Sequence, residues 1–356
     1  MSEVRAKKAL GQHFLVDLNI ARKICDALSG GVRPEAGAET RAVAAGSADA
    51  DAETRTRVAG YAGAGAEART MAAGSADAGA EARTKATGTA DADAETRRGV
   101  AASADARLAA DTTAAGAPAA AEEERGGAVP CDVLEVGCGM GVLTQFLLRR
   151  GDITTYGAEI DPESVEYLHA HFPEFAPRLI EGDFLKMNLR ERFPRGLKII
   201  GNFPYNISSQ IFFKVLEPRD LVPECVGMIQ KEVAVRIAEP PGSKEYGILS
   251  VLLQAWYDIE YLFTVNETVF NPPPKVKSAV IRLRRNSVGR LGCDEALFVK
   301  VVKASFGQRR KMIRNSLRTV FGDFGGAEHP FFTQRAEQLS VADFVQLTNW
   351  VAANRK

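Results

Sequence analysis

Residues 131–141, Cys131-Asp132-Val133-Leu134-Glu135-Val136-Gly137-Cys138-Gly139-Met140-Gly141, decide the fold. The six residues Cys131 to Val136 read as a strand. The glycines at 137, 139 and 141 then give a turn in which a nucleotide-bearing ligand can approach the backbone before a helix begins. Dinucleotide dehydrogenases use a related turn, but their G-x-G-x-x-G spacing needs glycine at 142, where this chain has Val142.

Working outward from this turn, strands are expected at 131–136, 153–159, 178–181, 197–201, 224–229, 258–265 and 276–284. Helices are expected at roughly 141–150, 162–171, 207–216, 230–238 and 246–256. Strand and helix in alternation predict an α/β fold, a mostly parallel sheet with helices on both faces. From about residue 291 the pattern is helical throughout (DEALFVKVVKASF, QRRKMIRNSLRTVF, SVADFVQLTNWVA), which predicts a small C-terminal all-α domain over 291–356. Upstream, Asp17 is positioned to cap a helix bearing Ile20, Ile24 and Leu28, stopped by Gly30-Gly31.

Between that helix and the strand at 131 lies a segment of another kind. The tetrapeptide Ala-Glu-Thr/Ala-Arg recurs at 38–41, 52–55, 66–69, 80–83 and 94–97, a period of 14 residues. Its plentiful apolar residue is alanine, interrupted by glycine, so stacking would bury too little to offset the ordering entropy. Residues 33–128 are therefore expected to be a disordered insertion. It falls at the amino end of the first long strand, whereas ligands in such sheets bind at the carboxyl ends. The chain organisation expected is 1–32 as a covering segment and first helix, 33–128 as the insertion, 129–286 as the catalytic domain and 291–356 as the helical domain.

Composition narrows the setting. The 356 residues are 46% hydrophobic with a net charge of zero, enough for a large globular core. Neither a secretory leader nor a membrane-spanning run is seen, so a cytoplasmic protein without a membrane partner is expected. The five cysteines form no C-x-x-C pair, and His169-Ala-His171 lies in a helical pattern that points the two rings apart, so no metal is expected. The zero net charge hides an asymmetry: residues 33–128 hold 11 Lys/Arg and 16 Asp/Glu, a balance of −5, leaving +5 elsewhere. Six Lys/Arg with no acid lie between Lys275 and Arg290, and seven with no acid between Phe298 and Val320. Lys275, Lys277, Arg309, Arg310, Lys311 and Arg314 are thus the candidate contacts to nucleic-acid phosphate.

Three successive strand ends carry chemistry. Gly137 and Gly139 end the first. Glu159 ends the second, where a carboxylate can accept both hydroxyls of a ribose, and Asp183 follows the third, where it can accept from an adenine amino group. A later strand leads into Asn202-Phe203-Pro204-Tyr205. There the Asn202 side-chain oxygen and the Pro204 carbonyl can each accept a hydrogen of a planar amino group, directing its lone pair at an electrophile. Tyr205 and Phe270 would sandwich the base, as enzymes that take a base out of its stack require. Together these features predict methyl transfer from S-adenosylmethionine to an exocyclic nitrogen.

Lys8-Ala-Leu-Gly11-Gln12-His13-Phe14-Leu15, the EVGCGMG turn, GNFPYNIS, FNPPPKVKSAV and ASFGQRRKMIRNSL resemble the ribosomal RNA adenine N6-dimethyltransferases over residues 5–30 and 131 to about 352. The resemblance implies a class I methyltransferase (Rossmann-like) fold with a C-terminal RNA-binding domain. It implies dimethylation of two adjacent adenosines in the 3′-terminal hairpin of small-subunit rRNA, in a pre-ribosomal particle and by a monomeric enzyme. By motif position, His13, Leu15, Gly137, Glu159, Asp183 and Asn202 are its cofactor residues. His13 stands where the family often has Asn, Phe203 where Leu or Ile is usual, and the insertion has no family counterpart. The alternatives are an antibiotic-resistance methylase of large-subunit rRNA, against which the basic 307–318 segment argues, and a non-catalytic assembly or transcription factor, against which the intact Asn202, Pro204 and Tyr205 argue.

Overall fold

A computed structural model describes residues 4, 6, 7, 10–30 and 130–355. The expectations for the 14-residue repeat fall outside the described residues. Nine strands and ten α-helices follow in chain order among those described. Strand β1 (Phe14–Leu15) precedes α1 (Leu18–Ala27), then β2 (Cys131–Val136), α2 (Thr144–Leu147), β3 (Ile153–Glu159), α3 (Pro162–His171), β4 (Leu179–Glu181) and α4 (Leu189–Arg192). After these come β5 (Lys198–Asn202), α5 (Ser208–Leu216), β6 (Glu224–Gln230), α6 (Lys231–Ala238), α7 (Ile248–Gln254), β7 (Tyr257–Val265), β8 (Phe270–Asn271) and β9 (Ser278–Arg285). The C-terminal helices are α8 (Glu295–Gly307), α9 (Ile313–Phe321) and α10 (Val341–Asn354).

Seven strands form one sheet in the order β4-β3-β2-β5-β6-β9-β7, and β1 pairs with β8 in a separate two-stranded ribbon. The pairs from β4 to β6 are parallel, while β9 runs antiparallel to both β6 and β7. The chain steps outward from β2 to β4 and then returns to lay β5 on the other side of β2. That reversal opens a crevice beyond the carboxyl ends of β2 and β5, where open α/β sheets bind ligands.

Period-two alternation sorts the strand residues between two cores. Leu134, Ile199, Cys225 and Ile281 face α5, α6 and α7, whereas Val133, Ile200, Val226 and Val280 face α1 and α2. The first core runs without a break into the C-terminal helices, through Leu297, Phe298, Val301, Phe344 and Leu347. The helices expected as a small separate domain therefore share their apolar interior with the sheet.

Asp17 caps α1 as expected, accepting from the Asn19 and Ile20 backbone N–H groups. Three helices are shorter than expected, α7 by two residues at each end of 246–256. Only Thr144–Leu147 of 141–150 is α-helical, with turns before and after it. The segment QRRKMIRNSLRTVF becomes helical only at Ile313, and Arg309, Arg310 and Lys311 lie in the turn before α9. Three consecutive cations would face the positive end of the helix macrodipole, which favours acids instead.

At the amino edge of the sheet, the end of α1 is tied down. Lys198 Nζ donates to the Ser29 and Gly30 carbonyls at 2.9 and 3.0 Å and lies 3.2 Å from the buried Glu224 carboxylate. Arg150 donates to the Cys25 and Leu28 carbonyls, satisfying acceptors that a helix C-terminus leaves open. The chain thus leaves the described fold at Gly30 and rejoins it at Pro130, both at the edge remote from the crevice.

Candidate active site

The crevice holds a cavity of about 310 Å³ lined by the ends of β2, β3 and β5, the turn after β4 and the N-terminal strap of residues 10–15. His13, Leu15, Gly137, Gly139, Glu159, Asp183, Asn202, Pro204 and Tyr205, from the sequence-predicted set, all line it. Phe270 does not. It is 3% exposed, pairs with Leu15 across the ribbon and packs in the α1-side core, so it braces the strap from behind and is not placed to sandwich a base.

The glycines of the turn answer to different demands. All three have positive φ, at 75, 53 and 75° for Gly137, Gly139 and Gly141. A Cβ on Gly141 would lie 2.4 Å from the Phe172 ring, and one on Gly139 would lie 3.1 Å from Phe14. At Gly137 the nearest atoms would be Pro204 Cδ at 3.9 Å and Asn202 O at 4.0 Å. The first two allow close packing of α3 and of the strap; the third keeps open the space between the turn and the Asn202 loop.

Glu159 is buried, and its carboxylate binds the turn to its own strand end. Oε2 accepts from Gly139 N at 2.8 Å, and Oε1 accepts from Ile160 N and Asp161 N at 2.9 Å each. Burial pushes its carboxyl above the ordinary range, against the pull of these three N–H groups. Asp183 caps a short 3₁₀ turn, accepting from Leu185 N at 3.0 Å, so one oxygen is structural while the residue still faces the cavity.

The Asn202 amide donates to the His13 carbonyl at 2.9 Å, which fixes the carboxamide and leaves Oδ1 as its acceptor. The Pro204 carbonyl accepts from Ile207 N at 3.2 Å and retains a second lone pair. Tyr205, half-buried, hydrogen-bonds the Ser278 hydroxyl, and burial raises its phenol above the ordinary range, with that hydrogen bond opposing. Its ring lies 5.3 Å from that of His13, whose Nδ1 is 2.8 Å from the Pro272 carbonyl. Phe203, between the two acceptors, is fully buried against Phe212. A Cβ at Gly227 would come within 2.5 Å of its ring, so glycine there makes room for a phenylalanine.

Sequence reasoning did not single out Glu135, Lys7 or Asp161. Glu135 lines the cavity and accepts from the Thr144 hydroxyl at 2.6 Å, and desolvation pushes its carboxyl up to about 8. It is legible only as one polar residue in a strand that is otherwise mostly apolar. Asp161, before Pro162, reads as a helix cap, yet its side chain caps nothing and instead receives Lys7 Nζ, Gln12 Nε2 and Ser164 Oγ.

The basic residues divide. Lys275 and Lys277 are exposed on the loop leading to Ser278, and Arg309, Arg310 and Lys311 are exposed in the turn before α9. Arg314 is half-buried, ion-paired with Glu328 and stacked over Phe332, so it ties α9 to the segment that follows it and is not placed for phosphate. His169 and His171 diverge as expected, the first to Glu181 and the second to the Tyr167 carbonyl. Among the described residues, no three His, Cys, Asp or Glu side chains converge on a point that could hold a metal.

Residues 130–353 match the ribosomal RNA adenine dimethylase family. The chain belongs to that family. A ribosomal RNA small subunit methyltransferase A from Parabacteroides distasonis is 61% identical over 218 residues, covering 61% of this chain and 81% of that protein. The protein of that name from Bacteroides thetaiotaomicron is 60% identical over 221 residues, covering 62% of this chain and 82% of its own length. A dimethyladenosine transferase from Plasmodium falciparum, known from a crystal structure, matches this fold with a TM-score of 0.52 at 25% identity, over 63% of this chain and 90% of that one. In this adenine dimethylase, S-adenosylmethionine is the methyl donor. The cavity suits it: Glu159 and Asp183 supply acceptors at adjacent strand ends, and the missing Cβ of Gly137 leaves a cradle beside Asn202.

Proposed function

We propose that this enzyme dimethylates the N6 amino groups of two adjacent adenosines in the 3′-terminal hairpin of small-subunit rRNA, within a pre-ribosomal particle. The observation that carries the reading is the fixed Asn202 carboxamide beside the Pro204 carbonyl at the mouth of an adenosine-type cavity. The names of the 61% and 60% identical relatives support the small subunit over the large.

S-adenosylmethionine supplies an electrophilic methyl group on its sulfonium. The protein's part is positioning. Asn202 Oδ1 and the Pro204 carbonyl accept the two N6 hydrogens, which draws the nitrogen out of conjugation with the ring and turns its lone pair toward the methyl. Holding reactants about 3–3.5 Å apart in this way supplies on the order of 7–11 kcal/mol. Glu159 holds the ribose and Asp183 the adenine amino group of the donor. Tyr205 stacks on the target base from one side. The methylated nitrogen is acidic enough to release its proton to water without a dedicated base, and in the second transfer one of the two acceptors holds the single N6 hydrogen that remains. Lys275, Lys277, Arg309, Arg310 and Lys311 contact RNA phosphates. The enzyme acts as a cytoplasmic monomer.

Mass mapping of N6-methyladenosines in rRNA from a deletion strain, before and after complementation, tests this. Loss of dimethyladenosine from the small-subunit 3′ hairpin and its return with the wild-type gene are expected. Loss from large-subunit rRNA instead would make it the resistance-type enzyme. Unchanged methylation would make it a non-catalytic assembly factor.

A further inference from the structure

Asp161 is buried, sits at the start of α3 and does not line the cavity, yet it gathers three donors. Lys7 Nζ comes from the chain before the strap, Gln12 Nε2 (3.2 Å) from the strap and Ser164 Oγ (3.1 Å) from α3 itself. Gln12 Oε1 in turn accepts from Lys7 N at 2.8 Å, closing a ring of contacts around the carboxylate. Lys7 also reaches Glu163 at 3.1 Å. Burial alone would raise the Asp161 carboxyl, but the Lys7, Gln12 and Ser164 hydrogen bonds outweigh it and hold it below the ordinary range.

Two residues earlier in the same turn stands Glu159, whose Oε1 accepts the Asp161 backbone N–H. The carboxylate assigned to the cofactor ribose and the carboxylate that holds the strap are therefore parts of one short loop. The strap continues through Gly11, packed so closely on Asn206 that a Cβ would lie 2.5 Å from its Oδ1, and through Leu10, Gln12 and His13, which line the cavity.

We propose that Asp161 and Lys7 form a latch that holds residues 10–15 closed over the bound cofactor and sets its residence time. They are positioning residues: neither lines the cavity, and both act through Gln12 and the strap. This inference rests on the cavity being the S-adenosylmethionine site. Glu159 holds the Asp161 backbone N–H and Asp161 holds Lys7 and Gln12, so the strap stays down over the cavity and the cofactor leaves only when that ion pair opens. The weaker affinity of a protein without the latch appears in the dissociation rate, the usual place for changes to a preformed interaction.

The test uses the full-length protein and S-adenosylmethionine without RNA, by calorimetry and stopped-flow displacement. Lys7→Met should raise Kd about fivefold and Asp161→Asn about tenfold, through faster dissociation, while Lys7→Arg stays within about twofold of the parent. With saturating cofactor and RNA, kcat should stay within about threefold, separating the latch from the reacting centre. Added cofactor should protect the amides of residues 10–15 from exchange in the parent and not in Lys7→Met. Unchanged cofactor dissociation in Lys7→Met, in a protein that still methylates RNA, would overturn the latch and leave the proposed function standing. A parent protein that failed to bind S-adenosylmethionine would overturn both.

Discussion

Replacing Glu159 with Gln separates what its carboxylate does for the fold from what it does for the cofactor. One oxygen accepts the Ile160 and Asp161 N–H groups and the other accepts Gly139 N–H. Glutamine has a single acceptor oxygen. Satisfying the pair at Ile160 and Asp161 leaves its NH₂ facing Gly139 N–H, so one charge-assisted hydrogen bond, worth about 1.5–3 kcal/mol, disappears within the protein. The oxygen that becomes nitrogen can no longer accept a ribose hydroxyl, a second loss of about the same size. Only the first loss is compensated, because burial already disfavours the charged form and neutralisation relieves that penalty. Glu159→Gln should therefore lower the unfolding free energy by about 1 kcal/mol or less. The same change should raise the Kd for S-adenosylmethionine roughly 10- to 150-fold, since each 1.4 kcal/mol is a factor of ten. Urea unfolding of the free protein and calorimetry with cofactor alone measure the two effects. Affinity within threefold of the parent, or losses of equal size in stability and binding, would refute the ribose assignment.

Asn202→Ala removes the acceptor at the amino group and the tie to His13, and should lower methyl transfer by at least about 10²-fold in single-turnover assays. Neutralising Arg309, Arg310 and Lys311 together should flatten the plot of log RNA affinity against log salt by up to roughly one unit for each phosphate left without its cation, whereas Arg314→Gln should lower the melting temperature with little change in that slope. Gly141→Ala combines a positive φ with a Cβ at 2.4 Å from Phe172, and should destabilise by about 2–5 kcal/mol in urea unfolding. For Glu135, raised from its ordinary value to about 8, the folded state keeps a proton that the unfolded chain has released. Stability then falls by about 1.4 kcal/mol per pH unit between the two values, and Glu135→Gln should remove that slope between pH 6 and 8.

Most of the lining of the candidate site was legible because it depends on local chemistry at strand ends. Gly137, Glu159, Asp183 and Asn202 each announce themselves by residue type after an apolar run, and the sheet gathers them at one crevice. Phe270 could not be placed this way. An aromatic beside a proline-rich turn serves equally as a base platform or as a brace, and only its pairing with Leu15 decides for the brace. Asp161 was hidden by its position, since an Asp before Pro at a helix start reads as a cap, and its partner Lys7 lies 154 residues away in sequence. Arg314 was indistinguishable from its basic neighbours until Glu328 was folded against it. The turn between Gly307 and Ile313 is not legible from apolar periodicity, which says nothing of three cations at a helix start.

The cradle around Phe203 constrains the order in which substitutions can accumulate. With Phe203 present and fully buried, a side chain at Gly227 would place its Cβ 2.5 Å from the ring, an overlap that a close-packed interior resists. A lineage carrying Leu or Ile at 203 can lose the side chain at 227 first, leaving a small void, and then fill it with the larger ring. The reverse order passes through an overpacked intermediate beside the acceptor loop, where a displaced Asn202 would be felt in turnover. Positions 203 and 227 are therefore epistatic, and a homologue with Ala or Ser at 227 is expected to carry a smaller residue at 203.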